Sequence, residues 1–226
     1  MCGRFSLVTS KKKLQQELPF VETGDTFLVS YNIAPMQHAY VVTNDDPGRL
    51  QYITWGLVPH WSVDGKNMGR LINARREGID GKPSFRIPIR KRRCLVPADS
   101  FYEWRKEGFK NTAYRIMMQN QGLLFFAGVW DVWYNGDCSV KTFSIITTTS
   151  NSEMAGIHNR MPVLLDTAEH RRQWLETSDI REVLCLLQTP PDGILRIYRV
   201  SSLVNSVLND TAELHKEVPE PPTLFV

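Results

Sequence analysis

The chain has 226 residues, 42% of them hydrophobic and 23% charged, with a formal net charge of +3. That is enough apolar material to bury a real core, so it reads as an ordinary soluble globular protein; the small basic excess alone argues for no particular partner. The cysteines at positions 2, 94, 138 and 185 lie far apart, with neither a C-x-x-C pair nor zinc-like Cys/His spacing, so no metal, cofactor or disulfide framework is expected.

In chain order, Met1 to Lys13 lacks the apolar core of a signal peptide, and a helical pattern follows at Lys11–Leu18. Strand-like runs at Ala39–Thr43 and Leu50–Trp55 precede a helical pattern around Ala74. Further strand-like runs fall at Leu95–Pro97, Ala113–Gln119, Leu123–Trp130 and Thr142–Thr149. Helical patterns at Thr167–Leu175 and Ile180–Leu187 then lead to a last strand-like run, Leu195–Val200. Asp166 with Glu169 resembles a capping box before the third helix, and Ser150 with Glu153 does the same before a short turn into His158.

Strands outnumber helices. The expectation is one α+β domain over residues 1–226, a curved and mainly antiparallel β-barrel-like sheet with peripheral helices, and an extended C-terminal arm from about 219 to 226. The longest apolar run, Leu123–Val129, is far short of the ~20 residues that cross a bilayer, so a cytoplasmic protein with reduced thiols is expected.

Cys2 stands out chemically. If Met1 is removed, an α-amine with a pKa of roughly 7.7–8.0 and a thiol near ~8.5, readily activated by neighbouring cations, sit on adjacent carbons. Such an aminothiol captures an aldehyde: the amine forms an imine and the thiol closes a five-membered thiazolidine. The bland alternative is that a cysteine at position 2 is an accident of the terminus.

His158, in the polar turn Gly156–Pro162, is either an ordinary surface or core histidine or an acid/base that moves a proton at the reacting atoms. Glu103, flanked by Tyr102 and Trp104, either answers an arginine or has a raised pKa and functional work.

From Gly81 to Ala98 there is no acidic residue, while Lys82, Arg86, Arg90, Lys91, Arg92 and Arg93 follow Arg70, Arg75 and Arg76. This is either a solvated loop or, with Trp55, Trp61 and Phe85 and with Pro59 stiffening the wedge between the two tryptophans, a groove where arginines hold phosphates and aromatic rings stack on bases. No P-loop, dinucleotide fingerprint, H-E-x-x-H or G-x-S-x-G is present, so nucleotide hydrolysis, dinucleotide redox chemistry and zinc proteolysis lose their usual support.

Met1-Cys2-Gly3-Arg4-Phe5, Tyr31–Pro35, Trp55–Trp61, Asn73-Ala74-Arg75, Ser84-Phe85-Arg86, Arg93–Trp104 and Ile157–Val163 follow in order, with Val200-Ser201, Val204-Asn205 and Asn209-Asp210 near the end. Together they resemble the SRAP family, named for SOS-response-associated peptidases and understood as abasic-site-processing proteins. The resemblance implies a monomer that binds single-stranded DNA and crosslinks Cys2, after Met1 removal, to the ring-opened aldehyde of an abasic site, with no metal, cofactor or membrane.

It further implies that Asn73 bonds the opened sugar or the linkage, that Glu103 orients and deprotonates the amine, and that His158 protonates the leaving oxygen and assists reversal. Arg4, Arg75 and Arg86 would hold phosphates and Trp61 and Phe85 pack against bases, with Pro35, Trp55, Pro59, Ser84, Arg160 and Met161 also on the DNA-binding side. Self-cleavage of Met1 by Cys2 is implied by the family name. Gly78, Ser100, Ala113 and Asp131 depart from residues common in the family. The competing readings are an N-terminal-nucleophile cysteine amidohydrolase, which leaves the basic stretch without a role, and a DNA-binding module in which Cys2 is incidental.

Overall fold

The computed structural model describes residues 2–65 and 69–219; Met1 and the tail beyond Pro219 lie outside them. In chain order the elements are β1 (Phe5–Leu7), α1 (Lys11–Glu17), β2 (Ser30–Ile33), β3 (His38–Thr43), β4 (Asp46–Trp55), β5 (Asn73–Arg75), α2 (Pro88–Lys91), β6 (Arg93–Ala98) and β7 (Ser100–Glu107). They continue with β8 (Lys110–Met118), β9 (Leu124–Asn135), β10 (Cys138–Thr149), α3 (Ser152–Ala155), β11 (Arg160–Pro162), α4 (Ala168–Glu176), α5 (Ile180–Cys185) and β12 (Leu195–Arg199), followed by 3-10 turns at Ser202–Asn205 and Ala212–His215.

β10, β4, β3, β6 and β9 hydrogen-bond in a closed ring, because β9 and β10 also form a hairpin from Cys138↔Asn135 to Ile145↔Gly128. The ring closes through a parallel pair, Thr142↔Thr54 and Phe143↔Trp55, while β5 and β11 attach to the later half of β10. A second, wholly antiparallel sheet in the order β12-β8-β7-β1-β2 packs against this barrel. The α+β class with a curved, barrel-like sheet is therefore what the structure has.

Strand alternation distributes the core. Val96 and Phe126 point toward Phe5, Trp55, Phe101 and Phe143 between barrel and second sheet, whereas their neighbours Leu95 and Phe125 point outward under α1, α2, α4 and α5 with Leu14, Ile89 and Trp174. The far face of the second sheet buries Tyr102, Tyr198 and Val204 beneath the C-terminal 3-10 turns. Just after β4 comes Gly56, whose φ of +127° and whose missing Cβ, which would stand 2.8 Å from the Gly69 backbone, let two chain segments touch where a larger residue would clash.

The segment around Ala74 is a strand, not a helix: Ala74 pairs in parallel with Ile146 of β10. Its local composition suits a helix, but cross-strand pairing and the burial of Ala74 against Ile79 and Ile146 decide the outcome. Both capping signals are displaced by one residue. Thr167 caps α4 through the His170 amide and Asn151 caps α3 through the Met154 amide, while Asp166 instead pairs with His170 at 2.9 Å.

Candidate functional site

Cys2 enters the structure immediately before β1, and its side chain is 0% exposed. β1 lies between β2 and β7 with Phe5 opposite Phe101, and the Tyr102 amide donates to the Arg4 carbonyl at 2.9 Å. Continuing that register brings Glu103 level with the residues just before Arg4. From the barrel side, β5 delivers Asn73, whose Nδ2 donates to the Cys2 carbonyl at 2.8 Å. Period-2 alternation does this: Ala74 points into the core, so its neighbours face the other way.

His158 follows α3, its amide donating to the Met154 carbonyl at 3.0 Å. Its Nδ1 lies 3.0 Å from the Arg160 amide nitrogen and 3.2 Å from the Arg160 carbonyl oxygen, which holds the ring against the start of β11.

Glu103 is buried, and desolvation raises its carboxyl pKa above the ordinary range, with His158 pulling the other way. Burial also pushes the Cys2 thiol far up, and the Glu103 carboxylate adds to the rise. Glu103 thus acts on the Cys2 thiol and is itself acted on by His158, while Asn73 joins Cys2 by its hydrogen bond. A thiol readily activated by neighbouring cations is not what the structure holds. Here the thiol stays protonated and donates a long 3.9 Å bond to the Arg4 carbonyl.

The DNA-side candidates divide sharply. Arg75 and Arg86 are exposed, Pro35 and Ser84 half-buried, and Trp61 is 50% exposed. Trp55 is wholly buried, edge-on to Phe5 at 5.1 Å and stacked with Phe143 at 6.3 Å, its indole N–H held by the Ile72 carbonyl. It builds the core and offers no ring to a base. Phe85 packs in the outer core with Leu57 and Ile89, and Met161 and Pro59 are also buried.

Arg160 is committed to Glu77 through two bonds of 2.8 and 3.0 Å and to the Thr147 carbonyl at 2.6 Å, so it ties β11 to β10 and to the turn after β5 instead of waiting for a phosphate. Arg4 is half-buried, with Nη1 shared between Asn32 Oδ1 and the Val204 carbonyl, both at 2.8 Å.

The basic stretch divides as well. Arg86, Arg90 and Lys91 are exposed, but Arg92 pairs with buried Asp131, and Arg93 turns inward. Asp131 is a site-shaping residue that sequence reasoning recorded only as a family departure: it accepts from the His60 amide and from His60 Nδ1, both at 3.0 Å, fixing the turn that displays Trp61. A lone acid within an aromatic strand, together with the His60 of the Trp55–Trp61 block, was the available signal.

Among the described residues there is no cluster of His, Cys, Asp and Glu suited to a metal, and no helix long and apolar enough to cross a membrane.

An N-terminal aminothiol position held by an amide donor and coupled to a buried carboxyl and a histidine, on a barrel backed by an antiparallel sheet, defines a class. The chain belongs to the SOS response associated peptidase (SRAP) family, whose model matches residues 1–207. Among its relatives, the abasic site processing protein YoqW of Bacillus subtilis is 39% identical over 222 residues, covering 95% of this chain and 98% of that protein. YoaM of the same organism, also called an abasic site processing protein, is 39% identical over 222 residues, with 95% and 97% covered. A crystal structure of a protein from Bacteroides thetaiotaomicron superposes with a TM-score of 0.86 at 27% identity, covering 96% of this chain and 100% of that one.

Proposed function

We propose that this protein processes abasic sites in single-stranded DNA by forming a covalent adduct through Cys2. The observation that carries the reading is the convergence on Cys2 of the Asn73 amide, at 2.8 Å from its carbonyl, and of Glu103, whose charge acts on its thiol. The names of the Bacillus relatives support the same substrate class.

The chemistry starts with hydrolysis of the Met1–Cys2 amide, one water consumed, in which the Cys2 thiol serves as nucleophile. The freed amine adds to the aldehyde of the ring-opened sugar and loses water to give an imine. The thiol then adds to the imine carbon: an S–C bond forms, and the thiol proton ends on the ring nitrogen of the thiazolidine. A thiol kept protonated by burial suits the aldehyde steps, in which the amine attacks first; the earlier cleavage of Met1 needs a base to take the thiol proton. In this reading Glu103 takes the proton from the ammonium and so frees the amine to attack, His158 protonates the departing oxygen and assists reversal, and Asn73 moves from the Cys2 carbonyl to the opened sugar or the linkage. The exposed Arg75 and Arg86 bind phosphates, and Trp61 stacks on a base.

The test is incubation with three oligonucleotides: intact, abasic, and carrying a tetrahydrofuran analogue that has no aldehyde. A heat-stable adduct with the abasic strand alone, whose mass equals protein without Met1 plus DNA less one water, is the expected result. Turnover of a small amide with no adduct would instead favour an N-terminal-nucleophile amidohydrolase.

Two further outcomes are expected. Because the Glu103 pKa is raised, the acid limb of the adduct-formation rate rises with pH through an inflection above the ordinary ~4.3 of a glutamate; Glu103→Gln should slow the reaction and remove that limb in a pH-rate profile. The same shift favours the protonated carboxyl in the folded state, so its contribution to stability is complete below the unfolded pKa and is lost as pH rises through the raised one. Arg75→Ala and Arg86→Ala should each weaken single-strand binding regardless of sequence and reduce the slope of log affinity against log salt by ~0.7, as measured by fluorescence anisotropy.

A further inference from the structure

The late motif Val204-Asn205 with Asn209-Asp210 has no place in the chemistry above, yet it folds back onto β2 and onto Arg4, two residues after Cys2. The residue that receives it is Asn32, 2% exposed at the end of β2. Its Nδ2 donates to the Asn209 carbonyl at 2.7 Å and the Ser206 carbonyl at 2.9 Å, with a longer 3.4 Å approach to the Val204 carbonyl. Its Oδ1 accepts from Arg4 Nη1 at 2.8 Å, and the same Nη1 reaches the Val204 carbonyl at 2.8 Å.

An amide buried this deeply is tolerated only when its polar atoms are satisfied, and here both N–H groups and the oxygen have partners. The surroundings reinforce the arrangement. The Trp104 indole donates to Asn205 Oδ1 at 2.8 Å, and the Arg4 guanidinium lies 5.9 Å from the Trp104 ring centre. Asn209 Nδ2 donates to the Leu203 carbonyl at 2.7 Å, and Asp210 accepts from the Tyr31 amide and the Ser30 hydroxyl.

We infer that Asn32 is a positioning residue for the Cys2 reaction, locking the segment from Ser201 to Asp210 onto Arg4 and through Arg4 onto Cys2. The link from Arg4 to the reacting group is its own carbonyl, which accepts both the Cys2 thiol at 3.9 Å and the amide of Tyr102, the residue before Glu103. Anchoring the Arg4 guanidinium through Nη1 to both Asn32 and the Val204 carbonyl fixes that peptide, and with it the spacing between the aminothiol and the carboxyl. Aspartate could keep the contact to Arg4 but has no N–H for the carbonyls of Ser206 and Asn209; alanine keeps neither. The inference deepens the proposed function and rests on it.

The experiment is single-turnover adduct formation by the full-length protein over a range of abasic oligonucleotide concentrations, with thermal melting of each variant. For Asn32→Ala, the maximal rate should fall by roughly tenfold or more, the scale on which a displaced reacting group loses rate, with the half-saturating DNA concentration changing by less than about threefold. Asn32→Asp should recover part of the rate.

Asp210→Ala loosens the same segment from an exposed side chain and gives the same test should the Asn32 variants fail to fold; its maximal rate should drop severalfold. A cooperatively melting variant of either residue that reacts within about twofold of the wild-type rate overturns the inference. A wild type that forms no adduct under the same conditions overturns the proposed function itself, so the two failures are distinct.

Discussion

Cys2→Ala is expected to leave no heat-stable adduct on abasic single-stranded DNA, while affinity for an intact strand stays within about twofold of the wild type by anisotropy. The thiol is fully buried, and among the described residues it makes one long bond, to the Arg4 carbonyl, so its removal costs the fold about 1 kcal/mol, the order of one buried methylene. The chemistry loses its closing step and the proposed self-cleavage as well: the alanine variant, freed of Met1 by an added methionine aminopeptidase, still offers an α-amine, but an imine without a thiol to trap it returns to aldehyde and amine in water. Sodium borohydride added during the incubation should therefore restore a reduced, stable linkage in the variant. Undiminished heat-stable adduct from Cys2→Ala without reductant would remove the thiol from the mechanism and sink the thiazolidine assignment.

Arg93→Ala carries the largest expected loss of stability, roughly 3–5 kcal/mol by denaturant unfolding, the range for uncompensated loss of a buried charged group with its hydrogen-bond partners. Arg93 is 2% exposed and pairs with no carboxylate among the described residues. Nε donates to the Trp174 carbonyl at 2.7 Å, Nη1 to those of Arg90 and Ile89 at 2.9 and 3.2 Å, and Nη2 to that of Thr177, with the guanidinium 5.8 Å from the Trp174 ring centre. It satisfies the carbonyl ends of α2 and α4 and joins them to β6, and burial lowers its pKa. Exposed Arg86→Ala should change stability by no more than ~0.5 kcal/mol while weakening DNA binding. A fully stable Arg93→Ala with a reduced salt slope would reverse these assignments.

The contrast between Arg93 and Arg86 shows where sequence stops being informative. Both stand in one run of cations without an acid, and nothing in composition says which faces water. The β6 register, with Arg93 opposite Val129, turns its side chain inward under Trp174. Trp55 and Trp61 repeat the lesson: they share a short block, but one ends a barrel strand between Phe5 and Phe143 while the other sits on a turn anchored by Asp131.

The long strands β9 and β10 and the helices α1, α4 and α5 were legible because each is a periodic run. β1, β2, β5 and β11 are three or four residues long and exist through pairing, so local pattern could not announce them. For the site, motif blocks named Cys2, Asn73, Glu103 and His158. The role proposed for Asn32 needed the return of a segment from the other end of the chain.

The closed barrel has a consequence for synthesis. The ring shuts only when β10 pairs with β4, and the segment that grips Arg4 ends at Asp210, whereas Cys2 precedes all of these partners in the chain. At ~5–20 residues per second, the amino-terminal cysteine spends many seconds as part of an unfolded nascent chain, without Asn73, Glu103 or His158 in place. If Met1 leaves by the protein's own hydrolysis, that cleavage waits for the carboxy-terminal part to arrive, and a chain truncated before Ser201 would keep its initiator methionine and a blocked amine. In that case completion of the chain would complete the site, and a truncated fragment would lack the free aminothiol that closes a thiazolidine.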